Sequence, residues 1–296
     1  MNAREEGFLL LSSFLGNPER KPLTIAQLHT LAARAKAMER PTEDRELCME
    51  DLIAMGYGSD MAQKILELLE DLPVLRHYHA KGWHSDCYPV TRVSKGYPVV
   101  LRKRLGLDAP GVLWAKGDVT ILQKPMISLV GSRDIDVPNA NFASAVGYEA
   151  ARQGYVLVSG NARGADRIAQ KACLQAGGQI ISVVADELEK WQENPNILYL
   201  SDDGYDCAFS AQRALSRNRV IHALGDKVFV AQCGLGKGGT WSGTVRNLKE
   251  NWSPVFVFRD GSGAAMQLEQ LGASGITQES LRDFAKLPAQ NLYLFD

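Results

Sequence analysis

From residue 126 onward, short apolar runs alternate with longer stretches of helical periodicity. The runs are Met126–Val130, Tyr155–Val158, Gln179–Val184, Ile197–Leu200, Lys227–Ala231 and Pro254–Phe258, and the helical stretches are 139–153, 164–176, 208–224 and 240–250. A strand apolar on both faces must be covered on both faces, and helices between such strands do the covering. This pattern predicts an α/β chain with a Rossmann-like, doubly wound parallel sheet over 126–275. A small N-terminal helical domain is expected over 1–82, a connector packing on the next domain over 83–125, and a C-terminal tail over 276–296.

In the first part, Thr24 is placed as the N-cap of a helix opening at Ile25, and Pro41–Leu47 puts Thr42 and acidic residues at a second helix start. Met55–Gly58 is a glycine-broken turn before Ala62, Ile65, Leu66 and Leu69, an apolar stripe at helical spacing. Such a helix–turn–helix can touch a DNA backbone, but the stripe alone is a core face. In the connector, Tyr97-Pro98 starts an extended piece and Val112–Asp118 reads as a strand ending in a Gly-Asp turn. His77, His79, His84 and Cys87 lie close together, yet their spacing fits no zinc template, and no metal site is expected.

The formal net charge is −1, with 33 Lys plus Arg against 34 Asp plus Glu, so the chain as a whole is no electrostatic glue for a polyanion. Polyanion binding would need local clustering. Seven cations (Arg213, Arg217, Arg219, Lys227, Lys237, Arg246, Lys249) stand against Asp226 between Cys207 and Lys249, and seven acids stand against Lys190 between Val183 and Asp206. The five cysteines form no CxxC pair, which fits reduced thiols in a cytoplasm. The N-terminus has no signal-peptide pattern and no run has the roughly 20 apolar residues that span a bilayer.

In a doubly wound sheet, ligands bind beyond the carboxyl ends of the strands. There the sequence has Gly131-Ser132-Arg133, then Ser159-Gly160-Asn161-Ala162-Arg163-Gly164, then Lys237-Gly238-Gly239-Thr240 followed by Ser242-Gly243-Thr244. Small residues let the backbone approach a ligand, helix starts aim N–H groups at it, and Arg133, Arg163 and Lys237 add charge, a combination suited to phosphate. Arg213 and Arg217, four apart, and Arg219 border this edge. No Walker loop, GxGxxG, GxSxG or HExxH occurs, so no nucleotide or nicotinamide cofactor and no hydrolase elbow is expected.

In order, Tyr97-Pro98, Leu113…Lys116-Gly117-Asp118, Leu129–Arg133, Val158–Asp166, Ala176-Gly177-Gly178 and Ser216–Ile221 resemble the motifs of the DprA (Smf) family of DNA-processing proteins, across roughly residues 90–260. The resemblance implies a non-catalytic protein that binds single-stranded DNA in a positive pocket, dimerises and loads a RecA-type recombinase. It also implies Gly131, Ser132, Arg133, Ser159, Gly160, Arg163, Gly164, Asn218, Arg219 and Lys237 as binding residues, with Asn218 and Arg219 reaching phosphate. The apolar Val255–Phe258 strand, placed at an edge of the sheet, is a candidate dimer contact.

Three departures stand out. The family usually has Lys-Ser-Gly-Ser where this chain has Lys237–Thr244 with Trp241 inside it, placed either to stack a nucleobase or to anchor a helix. Asn161 replaces an apolar residue. The winged helix of many members does not fit after Ala273. Two other functions follow: an antitoxin or regulator of a mobile-element immunity module, with the acidic 186–206 stretch meeting a basic toxin, and a nucleotide sensor or phosphoribohydrolase-like enzyme. The latter would need a carboxylate where Asn247 stands, and an amide cannot exchange the proton.

Overall fold

The computed structural model describes residues 1–38 and 46–291. Among them, nine strands form one sheet: β1 (Cys87–Thr91), β2 (Val112–Lys116), β3 (Met126–Val130), β4 (Val156–Ser159), β5 (Ile180–Val183), β6 (Ile197–Ser201), β7 (Val228–Val230), β8 (Val255–Phe258) and β9 (Ser274–Ile276), in the order β1-β2-β6-β5-β4-β3-β7-β8-β9. The seven strands from β6 to β9 pair in parallel, while β1 and β2 add an antiparallel margin beside β6. The segment read as a connector therefore lengthens the sheet.

Successive side chains of β3 point to opposite faces, and both faces are covered, so all but one of its residues are apolar. Ile127 and Leu129 pack on one face with Phe142 and Val146 of α7 (Val137–Arg152) and with Ala165 and Ala169 of α8 (Ala165–Gln175). Met126 and Val130 pack on the other with Val220, Ile221 and Leu224 of α10 (Asn218–Leu224). Ser128 is the polar exception, and its hydroxyl donates to the Ile221 carbonyl at 2.6 Å.

The N-terminal part is helical, with α1 (Ala3–Ser12), α2 (Ile25–Lys36), α3 (Met49–Ala54), α4 (Ser59–Glu70) and α5 (Leu72–His84). Thr24 caps α2 through a reciprocal pair with Gln27. The Ala62–Ile65 stripe of α4 is buried against Leu28, Leu31 and Leu52, so this helix–turn–helix packs a core. The start read at Pro41–Leu47 lies outside the described residues up to Arg45, and α3 opens only at Met49. Arg20 ties the bundle, donating to Asp71 and to the carbonyls of Leu10 and Leu68. Leu9, Leu10, Leu75 and Tyr78 then share a cluster with Trp114, Tyr199 and Tyr205, which joins these helices to the β2–β6 margin. His77, His79 and His84 lie on α5, whereas Cys87 is buried in β1.

Three expectations are corrected. Tyr97-Pro98 opens no extended piece: Pro98 is the N-cap of α6 (Val99–Leu105), a position whose φ of −61 the ring favours and where a missing N–H costs nothing. The helix read over 208–224 is two, α9 (Ala211–Ser216) and α10, meeting at Arg217. Arg213 fastens α9 to the carbonyls of Ala185 and Ala208, while the apolar face of α10 is drawn to the sheet, so the halves follow different anchors. Val255–Phe258 is no edge, since β9 pairs beyond it.

Past β9 the chain stays on the body. Leu281 and Phe284 are buried beside α7, and the Phe284 ring lies 5.1 Å from that of Phe229. Asn291 accepts the Val255 N–H at 2.7 Å. Phe284→Ala should therefore lower the unfolding free energy by about 3–5 kcal/mol, as for other buried aromatics, read from the denaturant midpoint.

Candidate nucleic-acid interface

The strands from β3 to β6 are laid down on one side of β3 and those from β7 to β9 on the other, so the strand order reverses between β3 and β7. Helix connections leave in opposite directions at such a point, and a crevice opens beyond the strand ends. A cavity of about 590 Å³ lies there, lined by Gly131, Ser132 and Arg133 after β3 and by Gly234, Lys237, Gly238, Gly239 and Thr240 after β7. Its far wall is α9 and α10, through Ala214, Leu215, Arg217 and Asn218. The two turns are bonded together: Thr240 donates to the Gly131 carbonyl at 3.0 Å, and Asn218 donates to the Gly239 carbonyl at 3.1 Å. The first turn of α11 (Gly238–Glu250) opens on this crevice with no side-chain cap, so its N–H groups and positive dipole end face it.

Arg217 decides the electrostatics. It is 7% exposed, and its side chain makes no ion pair or hydrogen bond among the described residues. Burial lowers the affinity of its guanidinium for the proton, with Asp166 and Asp202 opposing that from a distance. An arginine nevertheless stays charged. Its guanidinium lies over Gly160, where any Cβ would collide with it, so the backbone of the β4 turn is the floor that admits the arginine. Asp166 beside it accepts the N–H groups of Gly160 and Ala162, at 3.0 and 3.2 Å. Burial raises its carboxyl above the usual range, against the pull of Arg217. Arg133 and Lys237 also line the crevice, are exposed, and have no side-chain ion pair or hydrogen bond among the described residues. Three cations without an ion pair thus meet at one place, with Asp166 the one acid in the lining, and a buried unpaired charge is costly until an anion joins it.

The remaining sequence-predicted residues divide. Gly164 has φ +84 and caps α8 in a conformation that disfavours a side chain, and a Cβ there would strike the carbonyls of Ser132 and Arg133. It is thus the hinge that lets the first two turns touch. Ser159 is buried in the sheet and accepts from Gln170 at 2.6 Å. Ser242, Gly243 and Thr244 belong to the body of α11 rather than to the crevice lining: Ser242 and Thr244 bond back to their own helix, and Gly243 packs toward His222 and Asn218. Arg163 lies outside the crevice, paired with Asp134 at 2.6 Å, and is 71% exposed. Arg219 is turned away from it, held by Asp202 at 3.1 Å and by the Asp108 carbonyl. A helix rotates each residue by 100°, so when Arg217 points inward, Arg219 points to the other side. Trp241 packs on the apolar core, the anchoring role of its two readings.

Asp166 and the α9 wall escaped sequence reasoning, although the spacing of four between Arg213 and Arg217 was a signal for the wall. The acidic stretch is largely spent within the chain: Asp186 pairs with Lys190, Asp202 with Arg219, Asp203 with Arg213, and Asp206 accepts from Tyr78. Asn247 is fully buried, facing His222 and accepting the Ser253 N–H, far from any role as a proton carrier. Burial pushes His222 down to about 3, so it is neutral. Among the described residues, no helix is long and apolar enough to cross a membrane, and no group of three or more His, Cys, Asp or Glu side chains is placed to hold a metal ion.

This is a Rossmann-like α/β protein with a cation-lined crevice at the switch point of its sheet. The chain belongs to the DNA recombination-mediator protein A family, whose model matches residues 89–281. It is 29% identical over 293 residues to the DNA processing protein DprA of Bacillus subtilis, covering 91% of this chain and 96% of that one. Its fold is similar to that of DNA processing protein A from Streptococcus pneumoniae, with TM-score 0.71, 24% identity and coverage of 91% and 95%. It is also similar to DNA processing protein A from Helicobacter pylori, whose structure was solved for its single-stranded DNA binding mode, with TM-score 0.55, 25% identity and coverage of 66% and 94%. The family acts in DNA processing and recombination.

If the crevice is an anion site built around Arg217, inorganic sulfate or phosphate should raise the melting temperature of the protein by mass action. Arg217→Met should abolish that rise, and Arg219→Met should keep it. Thermal melts across an anion titration at constant ionic strength check both.

Proposed function

We propose that this protein binds single-stranded DNA through the crevice between the β3 and β7 turns, without catalysis, and presents the strand for recombination. The observation that carries the reading is Arg217, a buried cation with no partner, beside the exposed cations Arg133 and Lys237 and the α11 start. Backbone phosphates supply what those groups lack. A narrow crevice between two turns and a helix pair suits one flexible backbone rather than the rigid width of a duplex. The H. pylori relative's binding mode supports the same ligand. Asp166, the acid in the crevice lining, has Oδ2 engaged by two backbone N–H groups, a structural use of its carboxyl that fits a binding role. Delivery of the strand to a RecA-type recombinase rests on family membership. The antitoxin reading loses its acidic contact to internal pairing, and the nucleotide-enzyme reading lacks a carboxylate at position 247, where the amide of Asn247 is buried.

The protein should bind a single-stranded oligonucleotide more tightly than the duplex of the same sequence. Arg133→Ala, Arg217→Ala and Lys237→Ala should each weaken binding to every sequence by a similar factor. Each should also reduce the slope of log affinity against log salt by about 0.7, the value for one phosphate contact on a single strand. Arg219→Ala should leave the slope unchanged. Anisotropy titrations at several salt concentrations measure this, and equal or tighter duplex binding would overturn the reading.

A homodimer is part of the proposal. The edge strand β9 and the exposed Met266 and Leu271 of the α12 (Gly263–Gln270) region offer a second copy an apolar contact. Light scattering should give twice the chain mass of 32.5 kDa, and Met266→Glu should return the monomer.

A further inference from the structure

Beyond Arg217 lies a second hollow of about 380 Å³, between the β4 turn and the loop that follows β5. It shares Arg133, Ala162 and Arg217 with the crevice, so the two cavities are neighbours across two arginines. Its character differs. Phe209 lines it and is 56% exposed, a large apolar ring in water. The backbone beside that ring is pinned: Arg213 donates to the carbonyls of Ala185 and Ala208 at 3.0 and 2.8 Å. A fixed backbone beside an exposed ring is a preformed platform rather than a mobile loop tip. Trp191 also lines the hollow, stacked on Tyr199, and its indole N–H has no hydrogen-bond partner among the described residues. So does Asn161, held at φ +57, with no hydrogen bond through its side-chain amide among the described residues. Arg163 and Arg167 complete the rim.

An exposed aromatic ring and an unpartnered amide are what a flat heteroaromatic ligand with polar edges requires. Exposed cations at the rim suit a ligand that carries phosphate. Every nucleobase has a π-face, so a ring of this kind takes any base of a strand whose phosphates are held next door. We propose that this hollow is a nucleobase site, in which the base adjoining the crevice-bound phosphates stacks on Phe209 while the Asn161 amide offers hydrogen bonds to its edge. The inference rests on the single-strand reading of the crevice.

Anisotropy titrations with a labelled oligo-dT and with an abasic oligonucleotide of the same length test it. Wild-type protein should prefer oligo-dT. Phe209→Ala and Phe209→Leu should lose about 5- to 100-fold in affinity for oligo-dT, and little for the abasic strand, while Phe209→Trp keeps both. The salt slope should stay at the wild-type value, because no phosphate contact is removed, and melts should be unchanged for an exposed side chain. If Phe209→Ala binds oligo-dT as wild type does, or loses the same factor on both strands, the base site is overturned and the crevice reading stands. If wild-type protein binds neither strand, the crevice reading fails and takes this inference with it.

Discussion

Parallel pairing of β3 with a strand on each side, β4 and β7, is the constraint on which the rest of the molecule depends. A central strand with no free edge must bury both faces, which fixes α7 and α8 on one side and α10 on the other. Its carboxyl end is the place where the chain's winding reverses. The turns after β3 and β7 are therefore brought together, and each must be built of residues small enough to share the space. The bond from Thr240 to the Gly131 carbonyl closes that contact.

The charge at this place is held by geometry rather than by number of residues. The chain is near neutral overall, and some of its charged groups are paired with one another, as in Arg104–Asp226, Arg246–Asp108 and Arg259–Glu269. Exposed pairs of this kind contribute little stability but do cancel field. In the crevice, Arg133, Lys237 and the buried Arg217 make no ion pair among the described residues. A second cavity, between the N-terminal helices and the 202–208 loop, is lined by Asp202, Asp203 and Asp206, which are engaged by Arg219, Arg213 and Tyr78. Arg217 lines the crevice, and Arg219 is held away from it.

Much of this was legible in the sequence. Strands β3, β4, β5, β7 and β8 and the helices between them follow from apolar periodicity, because strands buried on both faces have no alternative pattern to show. The rule that ligands meet strand ends then picked out Gly131–Arg133 and Lys237–Thr240 without coordinates. Less legible were β1, β9 and α12, which are short and carry weak patterns, and the break at Arg217. That break leaves no mark of Gly or Pro and comes from two tertiary anchors pulling on one segment.

Composition and periodicity by themselves determined the α/β class, the parallel sheet and the edge at which a ligand must sit, since these depend on local apolar spacing and on a general property of doubly wound sheets. Only the tertiary structure decided which cations line the crevice at that edge. Arg213, Arg217 and Arg219 are alike as residues, but one holds a loop, one is buried without a partner, and one pairs with Asp202. The direction of a side chain on a helix depends on where that helix is broken and against what it packs, and both are settled by contacts between residues far apart in the chain.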